Sequence, residues 1–206
     1  MIQSLERGIY LASRSPRRRE LLAQIGVRFH LLLYRSRPGE MVDVDESTLG
    51  GETPEAYVER MARTKADAGW QRMLQRNLPR APVLSADTTL SVDGRIFGKP
   101  ANREHAAEML AALSGRSHDV LTAVALKSDD WMESVLSSSE VKFKTLTPAE
   151  IAAYVESGEC DDKAGAYAIQ GRAARFVVDL HGSYSGVVGL PLYETGQLLD
   201  KLRLRK

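Results

Sequence analysis

Four arginines fall within Ser13-Arg14-Ser15-Pro16-Arg17-Arg18-Arg19, where an apolar stretch ends and a helix begins. Ser15 is a good N-cap and Pro16 a good first helical residue, with Leu21, Leu22 and Ile25 supplying the apolar stripe that follows. Positive charge in that first turn opposes the helix dipole at a cost of about 0.3–1 kcal/mol per residue, and a bound anion such as phosphate would relieve it. A solvated basic face would show the same run of residues. Arg17, Lys65 and Lys99 are candidates to neutralise a polyphosphate, arginine by bidentate contacts and lysine as a mobile point charge. Glu46 and Asp87 are hard oxygen ligands suited to magnesium, and either carboxylate is equally suited to orienting or deprotonating a water. Asp87 interrupts an apolar run, where an unpaired carboxylate is costly unless it has a partner, a metal or a function.

The chain has no P-loop, dinucleotide glycine fingerprint, nucleophile elbow or metal-binding histidine pair; its four histidines are scattered at His30, His105, His118 and His181. Metal-assisted attack by water on a phosphoryl centre accounts for this inventory with the fewest parts. A net charge of +1 over 206 residues gives no global field for nucleic acid or membrane, so a basic site must be local. The single cysteine, Cys160, excludes an intrachain disulfide framework and suits a reducing cytosol. No long apolar run or signal-peptide pattern is present, and a cytoplasmic protein is expected.

Alternating strand and helix patterns must position these residues. Gly8–Ser13 reads as a strand, Pro16 to Gly26 as a helix and Val27–Leu33 as a returning strand. Arg35–Gly51 reads as a loop or short edge strand carrying Asp43, Asp45 and Glu46. Thr53 and Pro54 open a long helix to about Leu74, with Tyr57, Val58, Met61 and Ala62 on one face and Lys65 near it. Val83–Val92 runs as a strand to the Asp93-Gly94 turn, with Asp87 mid-strand or at a bend. Asn102 caps a helix over Arg103 to Leu113. His118–Leu126 and Trp131–Leu146 suggest an antiparallel pair, and Thr147-Pro148-Ala149-Glu150 combines a capping box with an early proline. Gly165–Gln170 and Ala174–Leu180 are two more apolar runs, and Pro191 opens the last helix, with the basic tail Lys201–Lys206 at its C-terminus. Together these patterns indicate an α/β protein with a mixed sheet.

The same residues resemble the Maf family of nucleotide pyrophosphatases. The matching segments, in order, are Leu11-Ala12-Ser13-Arg14-Ser15-Pro16-Arg17-Arg18, Val44-Asp45-Glu46, Ser85-Ala86-Asp87-Thr88, Gly98-Lys99-Pro100, Leu113-Ser114-Gly115, Asp162–Gly171, Gly182-Ser183-Tyr184 and Val187–Leu192. The resemblance spans Tyr10 to Leu199, and Tyr34–Glu40 matches no motif of the family. It implies a single Maf-like domain over 1–206, similar in fold to inosine triphosphate pyrophosphatases, with two lobes around a long mixed sheet, an active cleft between them and often a homodimer. It also implies metal-dependent hydrolysis, with magnesium or manganese, of a nucleoside triphosphate between its α and β phosphates. Asp87 would accept the proton of water, and Glu46 together with Asp87 would hold metal. Ser13 and Arg17 would contact substrate, Lys65 and Lys99 would face phosphate oxygens, and Thr88 and Gln170 would set selectivity. Arg18 would be a supporting charge, with Arg14 and Arg19 facing solvent. A buried glutamine amide at Gln170 would match the carbonyl and imide edge of thymine or uracil. The segments Ala166–Gly171 and Gly182-Ser183-Tyr184 resemble the branch acting on dTTP and UTP. Two alternatives stay open: the same chemistry on methylated guanine or inosine nucleotides, and a binding or regulatory role in septum formation, with which the family is also associated.

Overall fold

The computed structural model describes residues 8–32 and 44–204, so Asp43 and the segment Tyr34–Glu40 lie outside the described residues. The chain opens with strand β1 (Ile9–Leu11), helix α1 (Pro16–Gln24) and strand β2 (Phe29–Leu31), which pairs parallel with β1. Helix α2 (Pro54–Gln75) follows, its Thr53 cap accepting from the Ala56 amide. Next come β3 (Val83–Val92), the short β4 (Arg95–Phe97) and α3 (Arg103–Leu113). The long hairpin of β5 (Ser117–Ser128) and β6 (Trp131–Phe143) leads to α4 (Pro148–Glu156), whose reciprocal Thr147–Glu150 capping box is formed as the sequence predicts. After two 3₁₀ turns the chain ends with β7 (Val177–His181), α5 (Tyr184–Val188) and α6 (Leu192–Leu204).

Seven strands form one sheet in the order β2-β1-β3-β5-β6-β7, with β4 pairing β3. β1 is parallel to β2 and β3, whereas β3, β5, β6 and β7 are successively antiparallel, so the expected mixed sheet is present. The alternation of strand side chains divides the core between the two faces. Val124 and Leu126 of β5 pack with Leu22, Leu198, Leu199 and Leu202 under α1 and α6, while Leu121, Ala123 and Ala125 pack with Val58, Ala62 and Ala66 of α2. Another cluster joins Met109, Leu110 and Leu113 of α3 to Phe143, Tyr154 and Phe176. α2 lies so close to the sheet that a Cβ on Gly69 would stand 2.9 Å from Val83 Cγ1 and 3.0 Å from Ala12 Cβ. That contact fixes how far α2 stands from the strands that carry the site.

Two segments take forms that the sequence patterns leave open. The apolar run from Gly165 to Gln170 forms a 3₁₀ turn and loop, because Gly165 and Ala166 take positive φ values of 69° and 58°. The glycine-rich segment before Pro191 contains the short helix α5, capped by the Ser183 side chain.

Candidate active site

The register of β3 creates the site. β1 pairs with β3 only at Val83 and Leu84, and β4 pairs with it only from Leu90 onward. Ser85 to Thr89 therefore have a strand neighbour on the β5 side alone, and their other edge opens where β1 turns away into α1. Ligands of open α/β sheets bind at such a switch point, beyond the carboxyl end of a parallel strand. A cleft of about 440 Å³ occupies this position. All the sequence-derived site residues line it: Ser13, Arg17, Glu46, Lys65, Asp87, Thr88, Lys99 and Gln170.

Two paired contacts seat α2 over the open edge. Ser85 Oγ donates to the Ala62 carbonyl at 2.6 Å; two residues along the same face of β3, and three along α2, Asp87 Oδ1 meets Lys65 Nζ at 2.6 Å. Lys65 Nζ also lies 2.6 Å from Glu46 Oε1. Two hard carboxylates thus converge on one point of positive charge, and Asp87 is mid-strand with its side chain only 13 % exposed. Burial works against ionised Glu46, but the hydrogen bond and charge of Lys65, reinforced by Lys99 and Arg18, hold its pKa below the usual range. The Tyr57 hydroxyl donates to the Glu46 carbonyl at 3.0 Å. Burial first, then the charges of Asp87 and Glu46, push its pKa up to about 12, so it stays a neutral donor.

The arginine corner is arranged differently from the expectation. Arg18, expected as a supporting charge, reaches into the cleft wall: Nε donates to the Gly189 carbonyl at 2.7 Å, Nη1 to the Ala86 carbonyl at 2.7 Å and Nη2 to Thr88 Oγ1 at 3.1 Å. The guanidinium thereby satisfies the open edge that β1 leaves and ties it to the end of α5. Burial lowers its pKa, a penalty that neighbouring Asp87 opposes; an arginine remains cationic regardless. Arg17 lines the cleft and forms no hydrogen bond or ion pair with a described residue, and the same is true of exposed Lys99. Arg14 is exposed, as expected, at the cleft wall. Ser13 is 7 % exposed and accepts from the Ser15 amide at 3.2 Å, shaping the turn into α1.

Hydroxyl bookkeeping fixes the polarity of Thr88. Thr122 Oγ1 donates its one proton to the Gly186 carbonyl at 2.8 Å, so in the 3.0 Å contact between the two threonines Thr88 is the donor. Thr88 also receives the Arg18 bond, which leaves it only acceptor capacity toward a ligand. Gln170 lines the cleft but is exposed, which corrects the expectation of a buried amide: Ala166, Tyr167 and Ile169 of its loop are buried in the core, and the chain emerges at Gln170.

The lining residues Tyr57, Asp162 and Lys163 were not singled out as site residues from the sequence, and Arg18 was expected only as a supporting charge. Asp162 and Lys163 pair with each other, and that contact, before the more distant Arg17, lowers the Asp162 pKa. Arg18 faces inward because it stands four residues before Leu22, the fully buried member of the α1 stripe.

The donor set admits a divalent cation. Glu46 and Asp87 already face one cation, and magnesium commonly takes one or two carboxylates with water and phosphate oxygens completing its shell. Among the described residues no group of three His, Cys, Asp or Glu side chains gathers, so any remaining ligands would come from solvent and substrate.

A family model described as Maf-like protein matches residues 8–202. The chain belongs to the Maf family. Among Maf relatives, the dTTP/UTP pyrophosphatase of Nitrosomonas europaea is 56 % identical over 94 % of this chain and 93 % of its own length. That of Aromatoleum aromaticum is 55 % identical over 97 % of each protein. Among solved structures, the Staphylococcus aureus Ham1 protein aligns at a TM-score of 0.43 and 16 % identity, covering 66 % of this chain and 71 % of that one. No helix among the described residues of this Maf chain is long and apolar enough to cross a membrane.

Proposed function

We propose that this protein hydrolyses dTTP and UTP between the α and β phosphates, releasing the nucleoside monophosphate and pyrophosphate. The observation that carries the reading is the juxtaposition, at one cleft beside an open strand edge, of Asp87 with Arg17 and Lys99, two cations that pair with no carboxylate among the described residues. Relatives more than half identical over nearly full length are dTTP/UTP pyrophosphatases by name, which supports it.

In this reading Arg17 and Lys99 take phosphate oxygens, Arg17 from the first turn of α1 and Lys99 from the turn between β4 and α3. Lys65 exchanges between the two carboxylates and a phosphate oxygen, which its flexible stem permits. Asp87 accepts the proton as a water oxygen bonds to the α phosphorus. The bond from that phosphorus to the bridging oxygen breaks, and pyrophosphate leaves with the bonding pair. Glu46 and Asp87 would hold magnesium or manganese, which when bound neutralises phosphate charge and polarises the reacting centre. Thr88 offers an acceptor to the imide N–H of thymine or uracil, and Gln170 offers both a donor and an acceptor at the cleft mouth. A cytoplasmic enzyme that limits non-standard or excess pyrimidine triphosphates is the role this chemistry fits.

Parallel assays on dTTP, UTP, dGTP and inosine triphosphate, with pyrophosphate as the measured product, test the assignment. Preference for dTTP and UTP is expected. Preference for a purine triphosphate would overturn the base assignment while leaving the phosphate chemistry standing.

A further inference from the structure

The loop that carries Gln170 has no strand pairing, yet it is fastened at four points. The Gly165 amide donates to the Gly98 carbonyl at 3.0 Å, which ties the loop to the turn bearing Lys99. Gly165 has φ 69°, and a Cβ there would fall 2.4 Å from Leu90 Cδ1. Tyr167 Oη lies 2.9 Å from His118 Nε2. Tyr154 Oη accepts from the Ala168 amide at 3.1 Å, and the Arg172 amide donates to the Glu159 carboxylate at 2.8 Å. Gln170 is thus bracketed by anchored peptides at Ala168 and Arg172.

Neither His118 nor Tyr154 lines the cleft, and each is 3 % exposed. His118 is held edge-on by Phe143, with ring centroids 5.0 Å apart and planes at 90°. Its Nδ1 is buried with no hydrogen-bond partner among the described residues, where its one hydrogen bond is the one to Tyr167. Keeping a half-satisfied imidazole in the core is costly where an apolar residue would pack. Burial lowers its pKa to about 4, which leaves the ring neutral near pH 7. A neutral imidazole keeps one nitrogen able to donate and one able to accept, and either role serves the tyrosine hydroxyl.

We propose that His118 and Tyr154 are positioning residues for base recognition, holding Tyr167 and the Ala168 peptide so that Gln170 meets the base at a fixed place in the cleft. This rests on the nucleotide-hydrolysis reading. Its consequence is a specific kinetic pattern: loss of either anchor weakens binding of the preferred nucleotide and blurs base selectivity, while the water-activating pair Asp87 and Lys65, on other elements, is untouched.

The experiment compares Tyr154→Phe, His118→Leu and His118→Gln with a control, Tyr10→Phe, which removes a distant hydroxyl bond to the Pro79 carbonyl. For Tyr154→Phe and His118→Leu, KM for dTTP should rise roughly 5- to 30-fold with kcat changed less than about threefold, the size of effect expected from one hydrogen bond. The ratio of dTTP to dGTP activity should fall in the same variants. His118→Gln places an amide nitrogen near the position of Nε2 and should recover most of the KM. Tyr10→Phe should leave both KM and the ratio unchanged. Hydrogen exchange at the Ala168 amide should accelerate in Tyr154→Phe, a readout that needs no turnover. If KM and the ratio stay at wild-type values in Tyr154→Phe and His118→Leu, or if Tyr10→Phe shifts them equally, the positioning role is refuted. If wild-type protein hydrolyses no nucleotide, the functional reading fails by itself; unchanged Ala168 exchange in Tyr154→Phe would then refute the anchor as well.

Discussion

Arg18 shows how one side chain can carry both structure and site. Its donor contacts reach the Ala86 and Gly189 carbonyls and the Thr88 and Ser13 hydroxyls, so removing it leaves two carbonyls without their partner. Arg18→Met should cost roughly 2–4 kcal/mol of unfolding free energy, since hydrogen bonds to charged groups are worth about 1.5–3 each before relaxation. Denaturant unfolding monitored by tryptophan fluorescence measures that loss. Arg17→Met, by contrast, should leave stability within about 0.5 kcal/mol, as for surface substitutions, and raise KM. The opposite assignment, with Arg17 structural and Arg18 dispensable, would show the reverse pair of results. The residue types were legible in the sequence, and so was their grouping into cations, carboxylates and an amide. The division of labour between adjacent arginines was not, because it depends on which of them points along the Leu22 face of α1. The exposure of Gln170 was equally hidden, since an apolar run does not disclose that Gly165 and Ala166 turn it out of the sheet.

At the scale of elements, most helices could be bounded from caps and stops. Ser15, Thr53, Asn102 and Thr147 all cap as their residue types imply, because an N-cap is a local hydrogen bond independent of the rest of the fold. Strand partners were less legible. The open edge at Ser85–Thr89 exists only because β1 stops at Leu11 and β4 ends opposite Leu90, which is a matter of register between segments. The loop from Lys163 to Gly171 depends on backbone conformations as much as on contacts. Gly165→Ala should destabilise by roughly 2–4 kcal/mol, combining a strained positive φ with intrusion on Leu90. Thermal unfolding reads the stability loss. A rise in KM larger than that of an equally destabilised control would place the damage in the loop. A variant as stable as wild type would show that Leu90 yields freely.

For the molecule as a whole, stability falls in acid through several groups, of which His118 and Glu150 act in separate pH windows. His118 has a folded pKa of about 4 against about 6.5 for an ordinary histidine. Between those values the unfolded chain binds a proton that the folded one excludes, so unfolding free energy falls as pH drops through that window. The full loss, reached below pH 4, is roughly 3 kcal/mol at about 1.4 kcal/mol per pH unit. Glu150, pulled to about 2 by Lys144 and the Thr147 amide, works further down: its contribution is complete above its ordinary value of 4.5 and is lost as pH approaches 2. Denaturant unfolding across pH 4–7 should therefore show a slope that His118→Leu flattens and Glu150→Gln leaves in place. An unchanged slope in His118→Leu would assign the acid sensitivity elsewhere. The mixed α/β architecture was legible from alternating helix and strand patterns, whereas the cleft at its centre arises from the assembly of the sheet. The most direct test of the function assigned to that cleft is pyrophosphate release from dTTP and UTP with magnesium by wild-type protein and Asp87→Asn. Wild type should turn over both nucleotides, and Asp87→Asn should lose about 100-fold or more, the contribution typical of a positioned general base. Equal turnover in the two proteins would contradict the role of Asp87 and with it the mechanism built on the open edge of β3.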